Sequence, residues 1–225
     1  MNYSKVCGIW PRGSKTPLIV LFGGTFDPVH RGHIQAALSV CNAFSTREIR
    51  LVLSARPPHR KKPVASQVHR WEMLKLACEC DSRLVADDHE VHRTGPSWAI
   101  DNLRYVAKQN PGVAISWVIG NDSLAGLPDW KESQDLMSLC NLIVLGRNKN
   151  GGIYTKDLQD FLDQHKTLTP FDNVSGSIFF LQDDMLAVSA TGVRRALAAG
   201  NPIEDCLDPR VHKYIVDNQL YGINH

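Results

Sequence analysis

An α/β fold, built as a Rossmann-like open parallel sheet with helices on both faces, is predicted by three features of the chain. Short β-rich apolar runs alternate with amphipathic helical stretches, which is the rhythm of parallel βαβ units. Two of those runs, residues 115–119 and 142–145, are almost wholly apolar, as strands covered on both faces must be. The third feature is a glycine-bearing passage from the first run into the first helix, at the edge where open α/β sheets gather their ligands.

In chain order, strands are expected at residues 18–22, 50–53, 83–86, 114–119, 142–146 and 178–181. Helices are expected from about residue 31, then at 68–79, 97–109, 131–139, 154–164, 191–199 and 209–218. Ser97 and Thr191 are placed to cap two of these helices, and Gly200 to stop the one that Thr191 opens. Residues 1–17, rich in Gly, Pro and Lys, read as a poorly ordered extension ahead of a single domain spanning 18–225. Residues 148–152 form a turn-rich break, without the composition of a domain linker.

Of the 225 residues, 43% are hydrophobic and 21% charged, an ordinary globular composition that can bury a core. A formal charge of only +2 supplies no global field toward nucleic acid or a membrane surface, so neither is expected as a partner and anion binding has to be local. The clear basic run is Arg56, His59, Arg60, Lys61 and Lys62, stiffened by two prolines and following a strand, which suits an anionic ligand. Six cysteines without a CxxC pair, the closest being Cys78 and Cys80, read as reduced thiols rather than a zinc site. The apolar run at 18–22 follows Lys5, Arg12 and Lys15 but is too short for a signal peptide. No window approaches the roughly 20 apolar residues of a membrane span, so a cytoplasmic protein is expected.

The passage Gly23-Gly24-Thr25-Phe26-Asp27-Pro28-Val29-His30-Arg31-Gly32-His33 carries the strongest chemical signal. Gly23 and Gly24 are expected to let the backbone turn tightly and approach a ligand, exposing amide donors that suit phosphate. His30 and His33 share a face if the helix has begun, and helical side chains tilt back toward the N-terminus, so both imidazoles point at the first-turn amides. Donors and the positive helix end then meet where a polyphosphate can sit, as phosphoryl or nucleotidyl transfer requires. No Gly-Lys-Ser/Thr follows, so this is not a Walker A loop, and the GxGxxG dinucleotide fingerprint is absent.

A second constellation, Ser189-Ala190-Thr191-Gly192-Val193-Arg194, enters another helix. Read plainly it is an N-cap beside a solvated arginine; read functionally, Ser189, Thr191 and the helix amides bind nucleotide phosphates while the planar fork of Arg194 clamps their charge. A flat heterocycle could lie between Trp98 and Trp130, each contact contributing about 1 kcal/mol beyond burial. Trp130 follows the loop-like Leu127-Pro128-Asp129, which favours a pocket position, although two core tryptophans are the plainer alternative.

GGTFDPVHRGH near the first strand and SATGVR near the last helices resemble the two signatures of the nucleotidyltransferase superfamily that carries HxGH and SxTxxR motifs. Pro57-Pro58-His59-Arg60, Gly95-Pro96-Ser97-Trp98, Ile119-Gly120-Asn121-Asp122-Ser123 and Pro128-Asp129-Trp130 occur in the order and spacing of the bacterial nicotinate mononucleotide adenylyltransferase family. The resemblance runs from about Leu18 to Tyr221. It implies ATP along the segment holding Gly23, Gly24, Thr25 and Phe26, with His30 and His33 against its phosphates and Ser189, Thr191 and Arg194 on the other side. It implies Asp122 as a nucleotide contact, Trp130 with Trp98 as the pyridine wall, and Arg60 and Arg147 as basic groups near the mononucleotide.

Adenylyl transfer from ATP to nicotinate mononucleotide, giving nicotinate adenine dinucleotide and pyrophosphate, is therefore the expected reaction. Mg²⁺ is expected as the cofactor, bridging phosphate oxygens and held mostly by substrate and water. The chain departs from the family pattern where many relatives read PSYT and it reads Pro96-Ser97-Trp98-Ala99, so Ala99 offers backbone amide but no hydroxyl to a carboxylate. Rival readings are an enzyme using both nicotinate and nicotinamide mononucleotides, a phosphopantetheine adenylyltransferase, a cytidylyltransferase, and a nucleotide sensor that has lost catalysis. Whether the chain forms a homo-oligomer is open at this level.

Overall fold

The computed structural model describes residues 18–58, 62–146, 154–168, 174–182 and 186–223. The expected extension at 1–17, the basic residues His59, Arg60 and Lys61, the turn-rich break at 148–152 and Arg147 lie outside them. Among the described residues seven strands, β1 (Leu18–Gly24), β2 (Ile49–Leu53), β3 (Leu84–Asp87), β4 (Ala114–Gly120), β5 (Asn141–Leu145), β6 (Lys166–Thr167) and β7 (Ile178–Leu181), form one sheet. Their order is β3-β2-β1-β4-β5-β7-β6 and every pairing is parallel.

Nine helices occur among the described residues: α1 (Arg31–Phe44), α2 (Gln67–Cys78), α3 (His89–His92), α4 (Ala99–Gln109), α5 (Asn121–Ala125), α6 (Ser133–Leu139), α7 (Lys156–His165), α8 (Ala190–Ala198) and α9 (Pro209–Asp217). Successive strand side chains point to opposite faces, and β1 shows the consequence directly. Leu18, Val20 and Phe22 pack with residues of α1, α2, α8 and α9, while Ile19 and Leu21 pack with α4, α6 and α7. The sheet is thus covered on both faces, which is why β1, β2, β4 and β5 are apolar nearly throughout. Among the described residues no helix is long and apolar enough to cross a membrane.

The expected elements are all present, with altered ends. Ser97 does not cap α4: Trp98 is its N-cap without a side-chain bond, and Ser97 Oγ instead accepts from the backbone N–H of Arg56 at 2.9 Å. Thr191 does not cap α8 either, since Ser189 holds the extended N-cap backbone and accepts from Gly192 N at 3.1 Å. Gly200 does end that helix, at φ +67, and the next amide, Asn201 N, returns to Ala196 O. The short α3, α5 and β6 were not anticipated, being too brief to leave a periodic pattern.

The strand order positions the site. The chain runs outward from β1 through β2 to β3, then β4 adds on the other flank of β1. The order therefore reverses between β1 and β4, and the crevice beyond their carboxyl ends is where such sheets bind ligands. Gly23 and Gly24 end one of these strands and Gly120 ends the other.

Candidate active site

The turn after β1 is made differently from the sequence expectation. Gly23 and Gly24 belong to the strand, and the left-handed position is Phe26, at φ 47, followed by a cis peptide between Asp27 and Pro28. The glycines are required by packing. A Cβ on Gly23 would lie 2.4 Å from the Trp117 ring, and one on Gly24 would lie 2.6 Å from the Phe26 ring. Phe26 thereby folds back over the strand end and meets His33 edge-on, ring centroids 5.0 Å apart.

His30 is the N-cap of α1, in extended backbone, and His33 stands in the first turn. Their rings stack with centroids 3.6 Å apart, and His33 Nδ1 accepts from the His30 backbone N–H at 3.2 Å. With Nδ1 accepting, the neutral His33 ring carries its proton on Nε2. His30 is 6% exposed, and burial lowers its pKa to about 4, so it is neutral at pH 7. Its Nδ1 is buried without a hydrogen-bond partner among the described residues. The ring lies close over Gly32, where an added Cβ would sit 3.1 Å from His30 Nδ1.

Asp27 organises the rest of this rim. Its carboxylate, 6% exposed, accepts from Val64 N at 2.8 Å, Ala65 N at 3.0 Å and the Tyr221 hydroxyl at 2.8 Å. Burial, then the Asp27 charge, raises the Tyr221 pKa, which keeps that hydroxyl a donor. Arg194 reaches in from α8. Its Nη1 donates to the Asp27 backbone carbonyl at 2.6 Å and lies 3.8 Å from the carboxylate, while Nη2 donates to Thr191 Oγ1 at 3.2 Å. The loop before α8 is also tied to α1, through Leu186 N donating to Gln35 Oε1 at 2.9 Å.

Arg70 of α2, 1% exposed, braces the strand ends from below. Its guanidinium donates to the carbonyls of Thr25, Ser54 and Ala55, each at 2.8 Å, and burial lowers its pKa against the opposing charge of Asp27. The rim thus joins Arg194, and through it Thr191, to the Asp27 backbone just before the two histidines, 167 positions away in the chain.

The other half of the site is looser. Trp98 and Trp130 are both half-buried against the core on the α4 face, so neither the pocket-only nor the core-only reading is complete. Lys131 links the two segments: its ammonium lies 5.7 Å from the Trp98 ring and donates to Asp101 of α4 at 3.3 Å. Ala99 is the first residue of α4, where backbone amides lack helical acceptors. Asp122 is exposed in the first turn of α5, its Oδ1 folded over Gly120, where an added Cβ would approach to 2.5 Å. Asn121 beside it accepts from the Tyr154 hydroxyl at 2.9 Å.

Arg60 and Arg147 lie outside the described residues. Arg56, expected among ligand-binding basic residues, is occupied by protein carbonyls instead, and Lys62 is exposed. A cleft of about 510 Å³ lined by His89, Arg93, Asp101, Arg104 and Tyr105 borders α4. Its arginines face carboxylates, Arg93 with Asp101 at 3.7 Å and Arg104 with Asp135 at 3.3 Å, so it lacks the unpaired positive charge of a phosphate site.

The sequence of residues 21–196 matches the family model described as cytidylyltransferase-like. A probable nicotinate-nucleotide adenylyltransferase of Pectobacterium atrosepticum is 35% identical over 209 residues, covering 91% of this chain and 98% of the relative. The chain belongs to the cytidylyltransferase-like family, within its nicotinate-nucleotide adenylyltransferase group. A Pseudomonas aeruginosa relative of the same description is 36% identical over 210 residues, covering 92% of this chain and 98% of its own. Among solved structures, Plasmodium falciparum nicotinic acid mononucleotide adenylyltransferase complexed with NaAD superposes with a TM-score of 0.72 at 19% identity, covering 92% of this chain and 98% of that one. This last likeness speaks for the fold alone.

Sequence reasoning missed Asp27, Arg70 and Tyr221 as working parts of this site. Arg70 left a signal: it shares the spacing of Met73, Leu74 and Ala77, all on the buried face of α2, so a charge stands where an apolar residue was due. Asp27 lies inside the glycine-histidine passage itself. Tyr221, in a 3-10 turn at φ 63, left none.

Proposed function

We propose that this chain transfers the adenylyl group of ATP to nicotinate mononucleotide, forming nicotinate adenine dinucleotide and pyrophosphate as a step in NAD biosynthesis. One observation carries the reading: Arg194 of the SATGVR segment bonds the Asp27 carbonyl, so the guanidinium and the stacked imidazoles of His30 and His33 stand at one rim of the sheet. The relatives named nicotinate-nucleotide adenylyltransferase, matched over nearly their whole length, support the choice of substrates.

In the proposed reaction a phosphate oxygen of the mononucleotide attacks the α-phosphorus of ATP, the bond from that phosphorus to the β-phosphate oxygen breaks, and pyrophosphate leaves. The attacking oxygen is already anionic, so no general base and no covalent enzyme intermediate are needed. The protein aligns the two phosphates and offsets their charge. Arg194 does so with the N–H donors not used on Asp27 and Thr191, and His33 with its Nε2 proton. At the openings of α1 and α8, where Cys206 O holds Arg31 N, His30 O holds His33 N and Ser189 Oγ holds Gly192 N, the other first-turn amides would add donors to the phosphates. Trp98 and Trp130 would flank the pyridine ring, and the amides at Ala99 would face its carboxylate.

Mg²⁺ would accompany the triphosphate and neutralise oxygens there. We propose that phosphate oxygens and water would hold it. A cytoplasmic location belongs to the same proposal. The test is pyrophosphate release from Mg-ATP with nicotinate mononucleotide, nicotinamide mononucleotide or phosphopantetheine supplied separately. The first should be clearly fastest. Equal rates with the two pyridine substrates would remove the nicotinate preference, and ATP binding without any pyrophosphate would make the protein a sensor.

A further inference from the structure

We infer that Arg56 is a positioning residue for the mononucleotide side of the site, clasping the segment that carries Trp98 against the end of β2; this rests on the reading of Trp98 and Trp130 as the pyridine wall.

Residues 93–98 join α3 to α4, and their carbonyls, like the last ones of α3, need donors from outside a helix. A single guanidinium supplies several. Arg56 Nε donates to Gly95 O at 2.7 Å, and Nη2 donates to Glu90 O at 3.0 Å and to Arg93 O. Its Nη1 donates to Gln67 Oε1 at 2.9 Å, and Gln67 returns a bond from Nε2 to Val91 O at 3.1 Å. The backbones close the clasp, Arg56 N to Ser97 Oγ and Ser97 N to Arg56 O, both at 2.9 Å. Below it Glu90, 3% exposed, accepts from Ala55 N at 3.3 Å and from the Asn102 amide of α4.

Two consequences follow for specificity. Ala99 offers no hydroxyl, so a carboxylate at the pyridine end would be met by backbone amides at the start of α4, whose position depends on this clasp. The clasp also fixes the residue immediately before Pro57 and Pro58, the start of the basic stretch. The guanidinium meets four acceptors, three carbonyls and Gln67 Oε1, from three separated nitrogens, whereas an ammonium has three donors on one, so the requirement is for arginine geometry rather than for positive charge.

Steady-state kinetics of the wild type, Arg56→Ala, Arg56→Lys and Gln67→Ala, with Mg-ATP and nicotinate mononucleotide each varied, test this. Both Arg56 variants should raise the KM for the mononucleotide about tenfold, leaving kcat and the KM for ATP within about twofold, because the cost is the reordering of one loop before binding. Gln67→Ala, which keeps the guanidinium, should raise the same KM about threefold and serves if the Arg56 variants do not fold. Recovery of wild-type KM by Arg56→Lys would mean that the charge contacts substrate directly and would overturn the inference. Equal changes in both KM values, or none, would overturn it too. A wild type inactive on nicotinate mononucleotide would instead sink the proposed function and this inference together.

Discussion

On the proposed phosphate side of the crevice Asp27 and Arg70 are buried and held by several bonds each, His30 is buried against the His33 ring, and the half-buried Arg194 is tied to Asp27 and Thr191. On the proposed pyridine side the groups are half-buried and held through loops, as with Trp98, Trp130 and Lys131. The first arrangement suits a ligand whose charges must be met at set positions, since preorganised donors need no rearrangement during reaction. The second suits selection among flat rings, where contact area and loop position decide. In the proposed reading, rigid chemistry and adjustable specificity are thus carried by elements that pack on opposite faces of the sheet.

Removing the hub of the rigid side should have the largest effect. Asp27→Ala leaves the Arg70 and Arg194 charges without their nearby carboxylate and frees three donors, so a loss of about 3 to 5 kcal/mol in unfolding free energy is expected by denaturant titration. A loss under about 1 kcal/mol would show the carboxylate to be dispensable. His33→Ala and Arg194→Ala should each lower turnover roughly 100- to 1000-fold, about 2.7 to 4 kcal/mol, while the protein stays folded. A folded variant slower by less than about fivefold would contradict its assignment.

His30 links this side to pH. Its folded pKa of about 4 lies below the 6.5 of an unperturbed histidine, so the unfolded chain takes up the proton first as pH falls. The stability it contributes is complete above about pH 6.5 and is lost between about 6.5 and 4, amounting to about 3 kcal/mol. Unfolding titrations of the wild type and His30→Asn at pH 7.5 and 4.5 isolate this share. An identical pH dependence in both proteins would place the sensitivity elsewhere. The smallest effect belongs to the looser side. Trp130→Ala should raise the KM for the mononucleotide by about tenfold, near 1.4 kcal/mol, and leave that for ATP nearly unchanged. Equal changes for both substrates would make Trp130 structural.

The same contrast governs what could be read from the chain. The glycine-histidine passage was legible because its residues are contiguous and one helical turn fixes their relations; SATGVR was legible for the same reason. Within that, the choice between Ser189 and Thr191 as the cap depends on which residue adopts extended backbone, and both carry the needed hydroxyl. The role of Gly23 depends on Trp117 from the neighbouring strand, a contact across the sheet that local spacing does not encode. The Arg56 clasp was illegible because its partners are backbone carbonyls 34 to 39 residues onward, and carbonyls carry no sequence signature. An arginine beside two prolines and further cations looks like a ligand group until its acceptors are seen.

The central claim, that imidazoles from α1 and the guanidinium from α8 act on one triphosphate, is tested most directly by the turnover of His33→Ala, Arg194→Ala and the double variant under saturating Mg-ATP and nicotinate mononucleotide. Groups acting as a unit should be non-additive, the double variant falling little below the slower single one. Losses that multiply in full would mean the two groups work independently, contradicting a shared site.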